Sequence, residues 1–383
     1  MTDGDIRVPV HLAVALDGTG WHPSSWREPD ARPAELLTPQ YWVDLISEAE
    51  RGHLDFVTIQ DALTLQPDGV QGRLDAVLIA ARVAPRTRHI GLLPSAVATH
   101  TEPFHLSKAI ATLDYVSSGR AGIQVDVTAS PAAARHFGRR PAPESAQARY
   151  DEAIDYVEVL RRLWDSWEDD AEIRDTTSGR FIDRKKLHYI DFDGKWFSVK
   201  GPSITPRPPQ GQPLVAALDD GQDSRRFIAR SADIGFITPS SHGEVAEVVA
   251  AVDALRGDAP PVKIFADLLV FLDDDAERAA ARRRRLDDQA GVEFTTDAAV
   301  FEGTPAQLAD LVQDWHAAGV AGLRLRPATL PHDLRQITGG LSPELHRRGV
   351  LRGSYQTQTL RATLGLSRPA NRYAPACQRF PRT

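Results

Sequence analysis

Polar side chains that can bind a ligand or move a proton follow most of the apolar runs in this sequence of 383 residues. They are carboxylates, hydroxyls, an amide, an imidazole and a guanidinium, at Asp17, Asp61, Thr99, His100, Gln124, Asp126, Thr128, Asp219, Asp220 and Arg326. Residue types of this kind orient small molecules and act as acids or bases, so we expect a ligand site where the runs end. The alternative is that each residue only caps a helix or binds water.

Several motifs that define known classes of site are absent from the sequence. No GxGxxG lies between a strand and a helix, and there is no GxxxxGK[ST], GxSxG or HExxH. Asp17-Gly18-Thr19-Gly20 is rich in glycine, but it leads into WHPSSWR and not into a helix. We therefore expect no Rossmann nucleotide site, no hydrolase triad and no bound metal. A metal site formed by His100 and the strand-end aspartates is the less favoured alternative.

Composition and charge exclude further classes of function. The formal net charge of -7 argues against a nucleic-acid partner, since the basic run Arg282 to Arg285 lies among aspartates. Cys377 is the single cysteine, so we expect no disulfide framework within the chain. The segment MTDGDIRVPV is acidic and unlike a secretory signal, and no apolar run is long enough to cross a bilayer. We expect a cytoplasmic protein with no membrane partner.

Eight short apolar runs, rich in β-branched residues, are the candidate strands that must position the polar residues. They are His11–Leu16, Phe56–Gln60, Ile90–Ala96, Ala121–Val125, Pro213–Leu218, Ile234–Thr238, Val262–Leu272 and Gly322–Arg326. Runs such as LVAAL and IGFIT are apolar on both faces, as in parallel strands covered by helices. Helices are predicted to begin at Pro39, Pro103 and Pro305.

Alternation of strand and helix eight times predicts an α/β fold, a (β/α)8 TIM barrel that forms a single domain over residues 1–383. A doubly wound open sheet is the alternative. In the barrel, ligands bind at the carboxyl ends of the strands. The polar residues that follow the strands would then converge on one site.

Two segments depart from this alternation. A long insertion over about residues 164–212 separates strands 4 and 5, and we expect it to cover the active site. Asp193-Gly194 at the centre of its apolar piece predicts a hairpin with a two-residue loop. The C-terminal arm, about residues 350–383, is expected to lie on its own barrel or on a neighbouring subunit.

Several stretches of the sequence resemble one family along nearly the whole chain and in the same order. They include GWHPSSWR at 20–27, YWVDLISEAERGHLDFVTIQDA at 41–62, EPFHLSKAIATLDYVSSGRAG at 102–122, RYDEAIDYVEVLRRLWDSWEDDA at 149–171, GKWFSVKGPSITPRPPQGQP at 194–213 and LHRRGVLRGSYQTQTLRATLGLSRPANRY at 345–373. The chain resembles the luciferase-like flavin-dependent monooxygenases, in particular the nitrilotriacetate, dibenzothiophene-sulfone and pristinamycin-type subgroup.

The resemblance implies an oxidoreductase, a two-component monooxygenase that takes reduced FMN from a separate flavin reductase. In this family reduced flavin reacts with oxygen at its C4a carbon, and the resulting peroxide oxygenates a small organic substrate. No protein nucleophile is required, and we assign no catalytic residue. The resemblance also implies a homo-oligomer, either a dimer or a tetramer, or an assembly with a paralogue.

Carried over residue by residue, the family's flavin contacts fall on five positions before the insertion. Asp61 matches an aspartate after strand 2, Thr99 a polar residue after strand 3, and Tyr150 an aromatic hydroxyl near the flavin phosphate. After strand 4 the family has Gly-Trp-Asn-Val-Val-Thr-Ser, where this chain reads GIQVDVT. Gln124 and Thr128 are therefore the flavin contacts expected there.

The turn after strand 5 departs most from the family pattern. Where the family has a Gly-x-Ser turn that holds the FMN phosphate, this chain has Asp219-Asp220-Gly221-Gln222. Like charges about 4 Å apart repel by roughly 4 kcal/mol at an effective dielectric constant of 20. Either Arg225 or Arg226 compensates, or the aspartates point to solvent while the Gly221 and Gln222 amides cradle the phosphate.

The alternative function follows from this turn. It is a flavin-free or weakly flavin-binding member of the family that acts as a partner subunit, a binding protein or an enzyme of another reaction. If the chain is a flavin-dependent monooxygenase, His22, Trp26 and His100 are expected to face the substrate. If it is an enzyme of another reaction, Asp126, His100 or His22 would be the acid–base group.

Overall fold

Eight parallel strands form a closed barrel in the computed structural model, which describes residues 9–375. The strands are β1 (His11–Leu16), β2 (Phe56–Ile59), β3 (Gly91–Val97), β4 (Gly122–Asp126), β5 (Leu214–Leu218), β6 (Ile234–Ile237), β7 (Lys263–Leu272) and β8 (Gly322–Pro327). Each strand pairs with the next one, and β8 pairs with β1. The predicted barrel and its strands are confirmed, with ends displaced by at most one residue, and the open sheet is excluded.

Helices follow the strands and cover the outside of the barrel. They are α1 (Pro39–Arg51), α2 (Ala76–Val83), α3 (Pro103–Val116), α4 (Pro131–Phe137), α5 (Ala146–Asp165), α6 (Gln222–Ser231), α7 (His242–Arg256), α8 (Ala276–Ala290), α9 (Pro305–Ala317), α10 (His332–Gln336), α11 (Ser342–Arg347) and α12 (Leu360–Thr363). A short additional strand, Ala299–Gly303, pairs with the second half of β7.

The predicted helix starts at Pro39, Pro103 and Pro305 are confirmed, and side-chain caps mark the first and the third. The Thr38 side chain accepts a hydrogen bond from the Tyr41 amide at the start of α1. Thr304 and Gln307 form a reciprocal capping box at the start of α9. Such caps satisfy amides that have no partner inside the helix, so the short polar residue and the proline together define where each helix begins.

The C-terminal arm closes the lower end of the barrel, where the strands begin. Leu360 and Leu364 are buried in one apolar cluster with side chains of the barrel interior, including Phe56 and Phe265. Gly91 leaves room for this contact, since a Cβ there would lie 2.5 Å from the Leu360 side chain. Of the two predicted locations for the arm, the structure shows the one on its own barrel.

The insertion after α5 lies elsewhere than predicted. It begins where α5 ends, at the opposite end of the barrel from the carboxyl ends of the strands, because α5 runs antiparallel to them. Ile190 and Phe192 of the insertion contact Val159 and Leu163 of α5. The insertion therefore covers the outer face of a helix, and the expectation that it covers the active site is wrong for most of its length.

The predicted hairpin at the centre of the insertion exists, but its loop is longer. Phe192 pairs with Val199 and Asp193 with Ser198, so residues 194–197 form a four-residue loop. The Gly194 amide donates to the Phe197 carbonyl across that loop. A second hairpin, Glu172–Asp175 with Arg180–Ile182, was not predicted. Both are mostly exposed, so the alternation of apolar residues that identifies a strand is weak in them.

Replacing Leu360 by alanine should destabilise the protein by about 2 to 5 kcal/mol, because it opens a cavity among barrel side chains that cannot collapse around it. Leu255→Ala on α7 is the matched control, since Leu255 is 52% exposed. The control should change stability by less than about 0.5 kcal/mol. Denaturant unfolding of both variants measures the difference, and equal stabilities would contradict the placement of the arm.

Candidate functional site

Two cavities open at the mouth of the barrel, where the strands end. The first, of about 760 Å³, lies between the loop after β1 and residues 289–297, and Trp21 and Trp26 line it. The second, of about 680 Å³, lies beyond β2 and β3, and His100, Phe137 and Tyr156 line it. Cavities of this size bury small organic ligands. The convergence of the strand-end residues on this mouth makes it the candidate site.

A buried ionic cluster fills the barrel interior beneath the mouth. Arg324, which is fully buried, donates to Asp267 Oδ1 at 2.7 Å, and its guanidinium lies 3.6 Å from the ring centre of Phe236. Arg326 donates to the same Asp267 carboxylate at 2.9 Å and to Asp297 at 2.6 Å. Buried charges need such partners, because an unpaired one would cost several kcal/mol. The cluster closes the mouth from below.

Arg324 and Asp267 were not predicted from the sequence, because the candidate residues were sought at and beyond the carboxyl ends of the strands. Both stand inside strands, in GLRLRP and KIFADLLVFL. Arginines inside one largely apolar strand and an aspartate inside another were the signal that could have indicated internal ion pairs.

Gln124 connects this cluster to the mouth. Its Oε1 accepts from Arg324 at 2.6 Å, and its Nε2 donates to Asp126 Oδ1 at 2.9 Å. Burial raises the pKa of Asp126 to about 6, against its hydrogen bond from Gln124 and the charge of Arg324. The structure thus brings the predicted flavin contact Gln124 next to Asp126, but both polar ends of its amide are already engaged.

Asp61, Thr99 and Thr128 lie at the same mouth and are bonded to the protein's own backbone. Asp61 accepts from the Ala62 amide at 2.7 Å and from the Ala76 amide at 3.0 Å, so it fixes the start of α2. Burial raises its pKa above the usual value. The Thr99 hydroxyl is buried and accepts from the Thr128 amide at 3.1 Å. Thr99 and Thr128 are therefore neighbours, as a shared flavin contact requires.

The turn between β5 and α6 is folded around its own carboxylate. Asp219 accepts from the Gly221 amide at 3.2 Å, from the Ser224 hydroxyl at 3.0 Å and from Arg225 Nε at 2.9 Å. Its side chain is only 6% exposed. The expectation that Asp219 points to solvent is wrong, because the amide, the hydroxyl and the guanidinium draw it inward. Arg225 compensates its charge, as one of the predicted alternatives had it.

The second carboxylate of the turn, Asp220, faces Tyr150, the hydroxyl that was predicted to contact the flavin phosphate. Asp220 is exposed. Burial of the Tyr150 hydroxyl and its interaction with Asp220 raise the pKa of that hydroxyl, which also contacts Ser224. The Asp220 amide donates to the Ser224 hydroxyl at 2.8 Å. Gln222 is exposed at the first position of α6. Of the groups predicted to hold an FMN phosphate, the Gly221 amide and the Tyr150 hydroxyl thus face carboxylates, which makes the turn a poor fit for a phosphate, while the Gln222 amide lies at the start of α6.

The three residues expected to face a substrate are divided between the cavities. His22 and Trp26 line the first cavity, yet His22 is fully buried, bonded to Asp287 at 3.0 Å through Nε2 and to the Ser24 amide at 3.1 Å through Nδ1. Burial lowers its pKa despite the Asp287 contact. Trp26 is 39% exposed. Trp26 is therefore the better placed of the two to contact a ligand.

His100 lines the second cavity in an unusual conformation. Its backbone φ is 72°, and its ring stacks on Phe137 with ring centres 5.9 Å apart. Within residues 9–375 neither ring nitrogen has a hydrogen-bond partner, and burial lowers the pKa of the imidazole. A neutral ring in an apolar wall is the result.

Neither a metal cluster nor a membrane span occurs in the part of the chain that the structure describes. No three His, Cys, Asp or Glu side chains among residues 9–375 are grouped so as to hold a metal ion. None of the helices between those residues is long and apolar enough to cross a membrane.

Comparison with known proteins agrees with this geometry. Residues 20–295 match the family described as luciferase-like monooxygenase. The chain is 30% identical to the N-acetyl-S-(2-succino)cysteine monooxygenase of Bacillus subtilis (strain 168), over 95% of this chain and 98% of that protein. It is 29% identical to nitrilotriacetate monooxygenase component A of Aminobacter aminovorans, with the same two coverages.

Among solved structures, the chain is similar to a riboflavin lyase that contains modified FMN and its substrate riboflavin. The two share 25% sequence identity at a TM-score of 0.84, over 93% of this chain and 96% of that one.

Replacing Asp126 by asparagine should stabilise the protein in alkaline but not in acidic solution. Burial raises the pKa of Asp126 from 3.8 to about 6, so the folded protein holds this proton more tightly than the unfolded chain. The associated stability is present below pH 3.8 and is lost as pH rises through about 6. Asparagine avoids that loss, and its advantage should be on the order of 2 kcal/mol at about pH 8.

Unfolding free energies of the wild type and the Asp126→Asn variant, measured below pH 3.8 and at about pH 8, check this expectation. Asp258→Asn is the control, because Asp258 is exposed and its replacement should leave the pH dependence unchanged. Parallel pH profiles for wild type and Asp126→Asn would show that the pKa of Asp126 is not raised in the folded protein.

Proposed function

Because the chain belongs to the luciferase-like monooxygenase family, we propose that it uses reduced flavin and molecular oxygen to oxygenate a small organic molecule. The family match, which runs from the loop after β1 to the loop after α8, is the observation that carries this proposal. The two cavities at the barrel mouth support it, since they provide space beside the strand ends for a ring system and a substrate.

A separate reductase as the source of reduced flavin is part of the proposal. The nitrilotriacetate relative is named as component A, which indicates a further component for that enzyme. We propose the same division of labour here, together with a single domain over residues 1–383, a homo-oligomer and a cytoplasmic location. Nucleic acid and membranes are not among the proposed partners.

The protein's own part in such a reaction is to bind, orient and exclude water, while a bound flavin supplies the redox chemistry. Phe137 and Tyr156 form an apolar wall of the second cavity. His100 adds a neutral imidazole to that wall. Together with Trp26 in the first cavity, these side chains favour an aromatic or amphipathic substrate.

A second candidate is favoured by the turn at Asp219 and Asp220. Because its donors are bonded to carboxylates, the turn supports a family member that binds flavin weakly or not at all. Such a protein would be a partner subunit, a binding protein or an enzyme of another reaction. In the last case, Asp126, with its raised pKa, and His100 are the groups placed for acid–base chemistry.

An oxygenation assay distinguishes the two candidates. Reduced flavin is generated by a flavin reductase in the presence of isotopically heavy oxygen, with nitrilotriacetate and N-acetyl-S-(2-succino)cysteine as the first substrates. The proposal expects flavin to bind the protein and one heavy oxygen atom to enter a product. The control is the reductase with free flavin and no added protein. Failure of every flavin to bind at high micromolar concentration would leave the second candidate.

Replacing Trp26 by alanine should raise the KM for whichever substrate is turned over by roughly tenfold, since contact with the exposed indole face is lost. Thermal stability should hardly change, because Trp26 is 39% exposed. His22→Ala is the contrasting variant: it removes a fully buried ring bonded to Asp287 and should lower the melting temperature. An unchanged KM in Trp26→Ala would place the substrate in the other cavity.

A further inference from the structure

We propose that the turn of residues 219–222 selects a flavin without its phosphate, so that this protein prefers riboflavin to FMN. The inference rests on the proposed flavin chemistry and names the form of flavin that the site accepts. Riboflavin and FMN share the ring and the ribityl chain and differ only at the end of that chain. The chemistry of this one turn therefore decides between them.

The hydrogen-bond donors of the turn are the first argument. A phosphate offers only acceptors at neutral pH and needs N–H and O–H groups directed at it. Here the Gly221 amide and the Ser224 hydroxyl donate to Asp219, at 3.2 and 3.0 Å. The Tyr150 hydroxyl, whose pKa is raised by burial and by Asp220, faces that second carboxylate. A phosphate would have to break these bonds before it could form its own.

The charge of the turn is the second argument. Arg225 is bonded to Asp219 at 2.9 Å, and Arg226 is bonded to Asp151 at 2.8 Å. Neither of the two arginines that follow the turn is therefore directed at Asp220, whose carboxylate would meet a dianionic phosphate. Like charges at contact distance repel, and at an exposed carboxylate such as Asp220 this repulsion is weakened by salt.

The same groups suit the end of riboflavin. Its ribityl chain ends in a hydroxyl, which donates one hydrogen bond and carries no charge. The exposed carboxylate of Asp220 is an acceptor for such a donor, and a hydrogen bond to a charged acceptor is stronger than one between neutral groups. A turn rich in carboxylates thus binds ligand groups that donate hydrogen bonds, such as a hydroxyl, in place of groups that only accept them, such as a phosphate.

A pair of titrations tests the inference. The wild-type protein is titrated into oxidised riboflavin and into FMN, and binding is followed by the fluorescence polarisation of the flavin. We expect riboflavin to bind at least tenfold more tightly, which corresponds to about 1.4 kcal/mol. Raising the salt concentration should tighten FMN binding, because it screens repulsion, and should leave riboflavin binding unchanged.

Variants assign the preference to the two carboxylates. The double variant Asp219→Asn and Asp220→Asn keeps the shape of both side chains and removes both charges, so FMN affinity should rise at least tenfold. Asp258→Asn, an exposed position in the loop after α7, removes a charge elsewhere and should change neither affinity. Thermal melting confirms that both variants fold. The salt series tests the charge repulsion on the wild-type protein alone, so it does not depend on the folding of a variant.

The outcomes separate this inference from the proposed function. FMN binding as tight as riboflavin binding, or FMN binding that weakens with salt, would overturn the inference and leave the flavin chemistry in place. Absence of binding by riboflavin and FMN, in the reduced as well as the oxidised form, at high micromolar concentration would overturn both. Tenfold preference for riboflavin that persists unchanged in the double variant would also overturn the role of Asp219 and Asp220.

Discussion

Charged side chains that enter the mouth of this barrel have to find their partners within the protein. Removing a charge from water is costly unless an opposite charge or several hydrogen bonds replace the water. Asp267 meets this requirement between Arg324 and Arg326, and Asp219 meets it with the Gly221 amide and Arg225. Each donor used in this way is no longer available to a ligand.

This requirement determines which chemical groups the mouth of the barrel presents to a ligand. The floor is closed by guanidinium and carboxylate groups that neutralise one another, so it presents little net charge to a ligand. The walls of the second cavity are largely apolar, with the neutral imidazole of His100 among them. The turn after β5 adds carboxylates that accept hydrogen bonds. On this basis we propose that the site accepts an uncharged ring system with hydroxyl groups more readily than a phosphorylated one.

Much of the architecture could be predicted from local sequence, and much of the site could not. Strands such as LVAAL are apolar on both faces, and a proline at a helix start is compatible with few other conformations. Both patterns are local, so each predicts the element that the structure shows. The side of the barrel that the insertion covers depends on contacts between distant segments. The inward direction of Asp219 depends on Arg225 and Ser224, whose geometry is not encoded by spacing alone.

A crystal structure of the protein grown with an excess of FMN would show whether the turn of residues 219–222 accepts a phosphate. We expect Asp219 still to accept from the Gly221 amide and the Ser224 hydroxyl, with no phosphate oxygen bonded to either group. A phosphate bonded to Gly221 and Tyr150, with the two carboxylates turned out to solvent, would contradict it.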